Sequence, residues 1–109
     1  MTLDLASFGR AISSARKLKQ LSQKELSALV RKEDGESITP QYLNDIEHDR
    51  RSPSGDHLVR QFAKVLEVDI NVLFSTIGML SEEDRRLVKR ATPEKINEAF
   101  VAFRKELRK

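Results

Sequence analysis

A chain of 109 residues, 39% of them hydrophobic and 34% charged, is sized for one small domain with a modest core plus a short appendage. It contains no cysteine, which excludes disulfides and thiolate metal sites and fits a reducing cytoplasm. No apolar run is long enough to cross a membrane and no apolar signal-peptide core follows Met1, so a cytoplasmic protein without membrane attachment is expected. The net charge of +3 is uneven. Residues 1–78 carry 11 Lys+Arg and 11 Asp+Glu and are neutral, whereas residues 79–109 carry 9 against 6 and hold the whole excess.

Leu5, Phe8, Ile12 and Ala15 recur at helical spacing and predict the first helix. Ser22-Gln23-Lys24-Glu25 reads as a capping box, with Leu21 and Leu26 as its hydrophobic staple. Leu26, Leu29 and Val30 supply the apolar side of this short second helix. The charged stretch Arg31-Lys32-Glu33-Asp34-Gly35-Glu36-Ser37 then either extends the helix or forms a loop in which Gly35 makes a turn. The third helix starts at Thr39, a good N-cap, with Pro40 at the first helical position, where a missing N–H costs nothing. Ile38 and Leu43 staple it.

Leu58, Phe62, Val65 and Leu66 mark a fourth helix with Ser54 as the expected cap. Asp69 caps a short fifth helix, stapled by Val68 and Leu73 and closed by Gly78. Ser81 before Glu82-Glu83-Asp84 starts a sixth, where acidic residues suit the positive end of the helix dipole. Thr92-Pro93-Glu94 starts a seventh. No stretch alternates with a period of two, so the expected fold class is all-α, divided near Gly78 into residues 1–78 and a helical tail, 79–109. There are no internal repeats.

The third helix carries the chemistry. Leu43 and Ile46 face inward, which leaves Gln41, Tyr42, Asn44 and Asp45 outward. A short anchored helix with an exposed carboxamide suits reading base edges in a DNA groove, and an ordinary polar surface helix fits this segment equally well. The second helix shifts the balance. Two short, well-capped helices in succession, the second with a free polar face, form a helix-turn-helix, in which the second enters the major groove and the first crosses the backbone.

Leu21-Ser22-Gln23-Lys24-Glu25-Leu26, then Ile38-Thr39-Pro40-Gln41-Tyr42-Leu43-Asn44-Asp45-Ile46-Glu47, then Arg50-Arg51-Ser52-Pro53-Ser54, resemble the phage-repressor, Cro and Xre-type helix-turn-helix family. Agreement continues through Leu58, Phe62-Ala63, Leu66-Glu67-Val68 and Leu73-Phe74, so that it covers residues 8–74. The resemblance implies a compact five-helix DNA-binding domain in a transcriptional repressor that acts as a homodimer on double-stranded DNA. Arg16 falls at the family's first-helix arginine position, and it is expected to pair, partly buried, with Glu47 and fix the third helix against the first. The family passes from second to third helix in a tight turn. Residues 31–37 depart from that, which leaves the angle between the two helices open and places Arg31 and Lys32 either near DNA or in a solvated loop.

On this reading Gln23 donates to a backbone phosphate, aided by the free N–H groups of its helix start. Gln41 is the main base reader, because a carboxamide pairs bidentately with adenine. Asn44 and Tyr42 are second choices, and Asp45 could accept from a cytosine amino group. Thr39, Arg50, Arg51 and Ser52 hold phosphates. Competing readings have Tyr42 packed against the domain and Arg50-Arg51 as a solvated loop pair. Because the DNA-binding unit is neutral, affinity must rest on locally placed basic groups, and Asp45, Glu47 and Asp49 oppose it.

In the tail, Ile96, Phe100, Phe103 and Leu107 recur at spacings of four, three and four. Such a stripe either packs back on the parent domain, bridged by Leu80, Leu87 and Val88, or pairs with a second copy. The dimer is favoured, since a neutral unit gains most from two linked half-sites set about one DNA turn, roughly 34 Å, apart. Two other functions stay open: an antitoxin that binds a toxin and represses its own operon, and a protein-interaction module without DNA binding. Catalysis is not expected. Ser14-Ala15-Arg16-Lys17 matches a serine–lysine pattern by letter alone, His48 and His57 stand isolated as surface or cap residues, and no glycine-rich phosphate loop occurs. No catalytic residue, cofactor or metal site is assigned.

Overall fold

Ser7 starts the first helix in the computed structural model, which describes residues 3–78 and 80–109. The Ser7 hydroxyl accepts from the Arg10 N–H at 3.1 Å, and α1 runs Phe8–Leu18. Leu5 therefore precedes the helix and is exposed, which corrects its place at the head of the stripe; Phe8, Ala11, Ile12 and Ala15 form it instead. The second helix, α2 (Gln23–Leu29), begins at the capping box: Ser22 Oγ accepts from the Glu25 N–H at 3.0 Å, and Glu25 Oε1 from the Ser22 N–H at 2.9 Å. Its last residue, Leu29, is exposed rather than core-facing, because Val30 already turns to extended backbone and takes the inward position.

Residues 31–37 do not continue the helix. Arg31 and Ser37 form an isolated antiparallel bridge, and the turn is closed by Lys32 N–H to the Glu36 carbonyl (2.8 Å) and Gly35 N–H to the Lys32 carbonyl (2.9 Å). Gly35 takes φ +89°, a left-handed value that side chains oppose. The Ile38 N–H donates to the Val30 carbonyl at 3.0 Å, with both residues buried, so the chain re-enters the core beside the point where it left. The added length lies exposed, and α2 still packs on the helix that begins at Pro40. His57 Nε2 donates to the Arg31 carbonyl at 3.0 Å and Gln61 Oε1 accepts from the Arg31 N–H at 3.0 Å, which pins the hairpin.

Three helices complete the first unit, Met1–Met79: α3 (Pro40–Glu47), α4 (Asp56–Leu66) and α5 (Ile70–Ile77). The N-cap of α4 is Gly55, in extended backbone and without a side-chain cap bond, which corrects the assignment to Ser54; the first turn takes its negative charge from Asp56. Asp69 accepts from the Asn71 N–H at 2.8 Å to cap α5, and Gly78 ends it at φ +63°. Helix α1 packs on α3, α4 and α5, while α2 packs on α3. Ile12, Leu26, Leu43, Ile46, Phe62 and Leu73 are fully buried between them, and Phe8 meets Phe62 edge-on at 6.0 Å. Each such side chain contributes roughly 1.5–3 kcal/mol on burial.

The second unit, Leu80–Lys109, holds α6 (Glu82–Arg90) and α7 (Pro93–Leu107). Ser81 accepts from the Asp84 N–H at 3.1 Å and Thr92 from the Lys95 N–H at 3.2 Å, so both helices are capped as their sequences predict. Neither helix buries a residue. No described helix is long and apolar enough to cross a membrane.

Candidate nucleic-acid interface

Thr39 Oγ1 accepts from the Tyr42 N–H at 3.0 Å and Pro40 occupies the first turn, so α3 starts where its sequence says it should. Leu43 and Ile46 anchor its inner side in the core. Its last turn is held by His48, whose Nδ1 donates to the Asn44 carbonyl at 2.8 Å. Gln41 is exposed, and Asn44 and Asp45 are half-buried. Tyr42 is half-buried, packs against the core, and carries the Arg51 guanidinium 5.4 Å from its ring centroid. One ring thus braces the helix and positions a cation.

Beneath this face runs a polar network joining three helices. Arg16 grips Glu47 with two parallel bonds, Nε to Oε2 at 2.7 Å and Nη2 to Oε1 at 3.0 Å, and gives Nη1 to the Leu21 carbonyl at 2.8 Å. The Glu47 side chain is 3% exposed and that of Arg16 12%. Gln23 Nε2 donates to Glu47 Oε1 and to Asn44 Oδ1, each at 3.1 Å. Both hydrogens of that amide are spent inside the protein. The side chain expected to donate to phosphate forms a strut between α2 and α3. Asn44, half-buried, is held through its Oδ1 by this strut.

A second cluster lies on the outer surface. Asp45 Oδ1 accepts from Gln41 Nε2 at 3.1 Å and from Arg50 Nε at 3.2 Å, while the Arg50 N–H bonds the Asp45 carbonyl at 2.9 Å. Among the described residues, Gln41 keeps its carbonyl oxygen and one N–H free. Arg50 keeps its two terminal nitrogens. Asp45 orients both neighbours.

The acids that weigh against DNA affinity by count are thus neutralised or occupied one by one. Glu47 is closed inside the Arg16 pair, Asp45 faces Arg50, and Asp49 serves α1. Asp49 takes a left-handed conformation (φ 59°), accepting at Oδ2 from Ser7 Oγ (2.6 Å) and at Oδ1 from the Gly9 N–H (3.0 Å). It is a second cap on α1, supplied from forty residues away. A Cβ on Gly9 would lie 2.5 Å from Asp49 Oδ1 and 2.8 Å from the Glu47 carbonyl, so only glycine lets α1 approach this close. The position after a helix end, where aspartate tolerates left-handed backbone, is the signal by which Asp49 could have been singled out. Ser52 is exposed beyond it. Lys24, exposed beside Gln23 at the start of α2, is a basic group that the spacing of caps and staples does not single out. No cluster of potential metal ligands occurs among the described residues.

The helix-turn-helix family model matches residues 12–73, more than half of the chain. The chain belongs to that family, of the Cro and Xre type, a family of DNA-binding regulators. No curated protein and no solved structure matches it.

Proposed function

We propose that the protein is a sequence-specific transcriptional repressor that acts as a homodimer, with α3 in the major groove of its operator. The supporting observation is the division of α3 into an inner side locked by Leu43, Ile46 and Glu47 and an outer end where Gln41 stands exposed and is aimed by Asp45. A carboxamide with one free acceptor and one free donor matches the bidentate edge of adenine. Asn44 adds its amide donors for a purine acceptor. Asp45 aims its neighbours more than it reads, since its Oδ1 is shared by Gln41 and Arg50. Arg51, the free end of Arg50, the Thr39 hydroxyl, Ser52 and Lys24 hold phosphates, and α2 contributes the backbone N–H groups at Gln23 and Lys24 in place of the Gln23 amide.

Selection from a randomised duplex pool by the full chain tests this reading. Enrichment of a two-fold symmetric site with half-sites about 10 base pairs apart is expected. Failure to enrich any sequence would overturn it. An operator placed across a reporter promoter gives the sign of regulation, with lowered expression expected.

The exposure of Phe103 and Leu107 favours a second reading, in which the tail docks a protein. An antitoxin would bind DNA and a toxin together, whereas an interaction module would bind protein and enrich no DNA.

A further inference from the structure

Helix α7 is apolar along a line that nothing in its own unit covers. Phe103 and Leu107 are 58% and 70% exposed, and Phe100 and Val101 are also exposed. A 15-residue helix is marginal alone in water. Toward its start, α7 forms an open apolar crook with α6, lined by Leu87, Val88, Ala91, Ile96, Ala99 and Phe100. Its other half projects Phe103 and Leu107 beyond that crook.

The pattern is symmetric about the point between Val101 and Ala102. Reversing residues 94–109 exchanges Ile96 with Leu107 and Phe100 with Phe103, and it also exchanges Glu94 with Lys109 and Glu98 with Lys105. A helix laid antiparallel on its own copy thus meets apolar with apolar along the whole stripe. The ends agree. Residues 93–98 carry Glu94, Lys95 and Glu98, whereas residues 104–109 carry Arg104, Lys105, Arg108 and Lys109 against Glu106 alone. Antiparallel pairing sets the acidic end of one copy against the basic end of the other and opposes the helix dipoles, while parallel pairing crowds both basic ends together. Lys95 comes level with Arg108, but it already pairs with Glu98 at 3.7 Å.

We infer that the tail dimerises as an antiparallel α7 pair in which Phe103 and Leu107 of each copy fill the α6–α7 crook of the other. The same patch serves both copies, which closes the assembly at two. This rests on the dimeric reading above but fixes a geometry that reading leaves open.

The chain has no cysteine, so introduced thiols report cleanly. Full-length Phe100→Cys and Phe103→Cys are oxidised separately and as a mixture. The antiparallel register yields several-fold more linked dimer from the mixture than from either alone, whereas abundant linkage within each variant alone would overturn it. Spin labels on Glu94→Cys, which leaves the stripe intact, supply an independent readout. Antiparallel helices separate the two labels by about 22 Å along the axis, at 1.5 Å per residue over 15 residues, and parallel ones set them side by side. Sedimentation of the wild type separates the failures. A monomer at micromolar concentration, with the stripe covered by its own chain or reserved for another protein, removes dimer and register together. A dimer with labels side by side removes the register alone.

Discussion

Replacing Glu47 by alanine tests what holds the helix-turn-helix together. The carboxylate is almost fully buried and accepts three hydrogen bonds, two from Arg16 and one from Gln23. Its loss leaves the Arg16 guanidinium, 12% exposed, with one carbonyl acceptor at Leu21. Removing one partner of such a pair costs about 3–5 kcal/mol, because the remaining charge is stranded away from water. A unit of this size is expected to have a total stability of about 4–12 kcal/mol, so the loss is about a quarter of it or more. At about 4–8 °C per kcal/mol the melting temperature should fall by roughly 12–40 °C. The pair itself is a different matter. Two charges taken from water spend most of their attraction on desolvation, so Arg16→Met with Glu47→Leu should return to within about 1 kcal/mol of wild type. Urea melts of wild type, Glu47→Ala, Glu47→Leu, Arg16→Met and the Arg16→Met/Glu47→Leu double variant, followed by far-ultraviolet circular dichroism, give the comparison. A Glu47→Ala loss below about 1 kcal/mol, or a double variant as unstable as the two single losses added, would refute the argument that burial of an unpaired charge dominates.

Gln41→Ala should reduce discrimination at one or two base pairs by about 1–3 kcal/mol each, while Arg51→Ala should weaken all sequences alike and lower the salt slope by about one; binding titrations at several salt concentrations distinguish them. Gly9→Ala should cost at least about 1–3 kcal/mol in a thermal melt, since its Cβ meets the backbone carbonyl of Glu47 and the Asp49 carboxylate, and an unchanged melt would mean that α1 and α3 are not pressed together there. Glu25 is held below the ordinary carboxylate value of 4.5, first by the Ser22 backbone N–H and then by its hydroxyl. A depressed carboxylate stabilises the fold above its unfolded pKa, and that contribution fades as pH falls through the lower folded value. Glu25→Gln should therefore melt below wild type at neutral pH and converge with it in acid, and a constant difference would place the effect outside titration.

Local spacing made most of the helices legible. Caps act over two or three residues and staples over five, so Ser22, Thr39, Asp69, Ser81 and Thr92 could be placed from letters alone. The same locality exposed the outward Gln41 and the inward Leu43 and Ile46, and the tail stripe. It failed where the cap is a bare glycine, at Gly55, and where a helix began later than its apolar pattern, at Ser7. The Arg16–Glu47 pair was expected from family resemblance, not from any spacing. Tertiary structure alone decided which polar groups are free. Asp49 caps a helix forty residues earlier, Gln23 is spent on Asn44 and Glu47, and the 31–37 hairpin is closed by Val30 and Ile38 and held by His57 and Gln61. Each of these contacts joins groups that only folding brings within hydrogen-bond range, and a count of charges along the chain cannot register it. That is why a domain neutral by composition still leaves Gln41, Arg51 and Lys24 open on its surface.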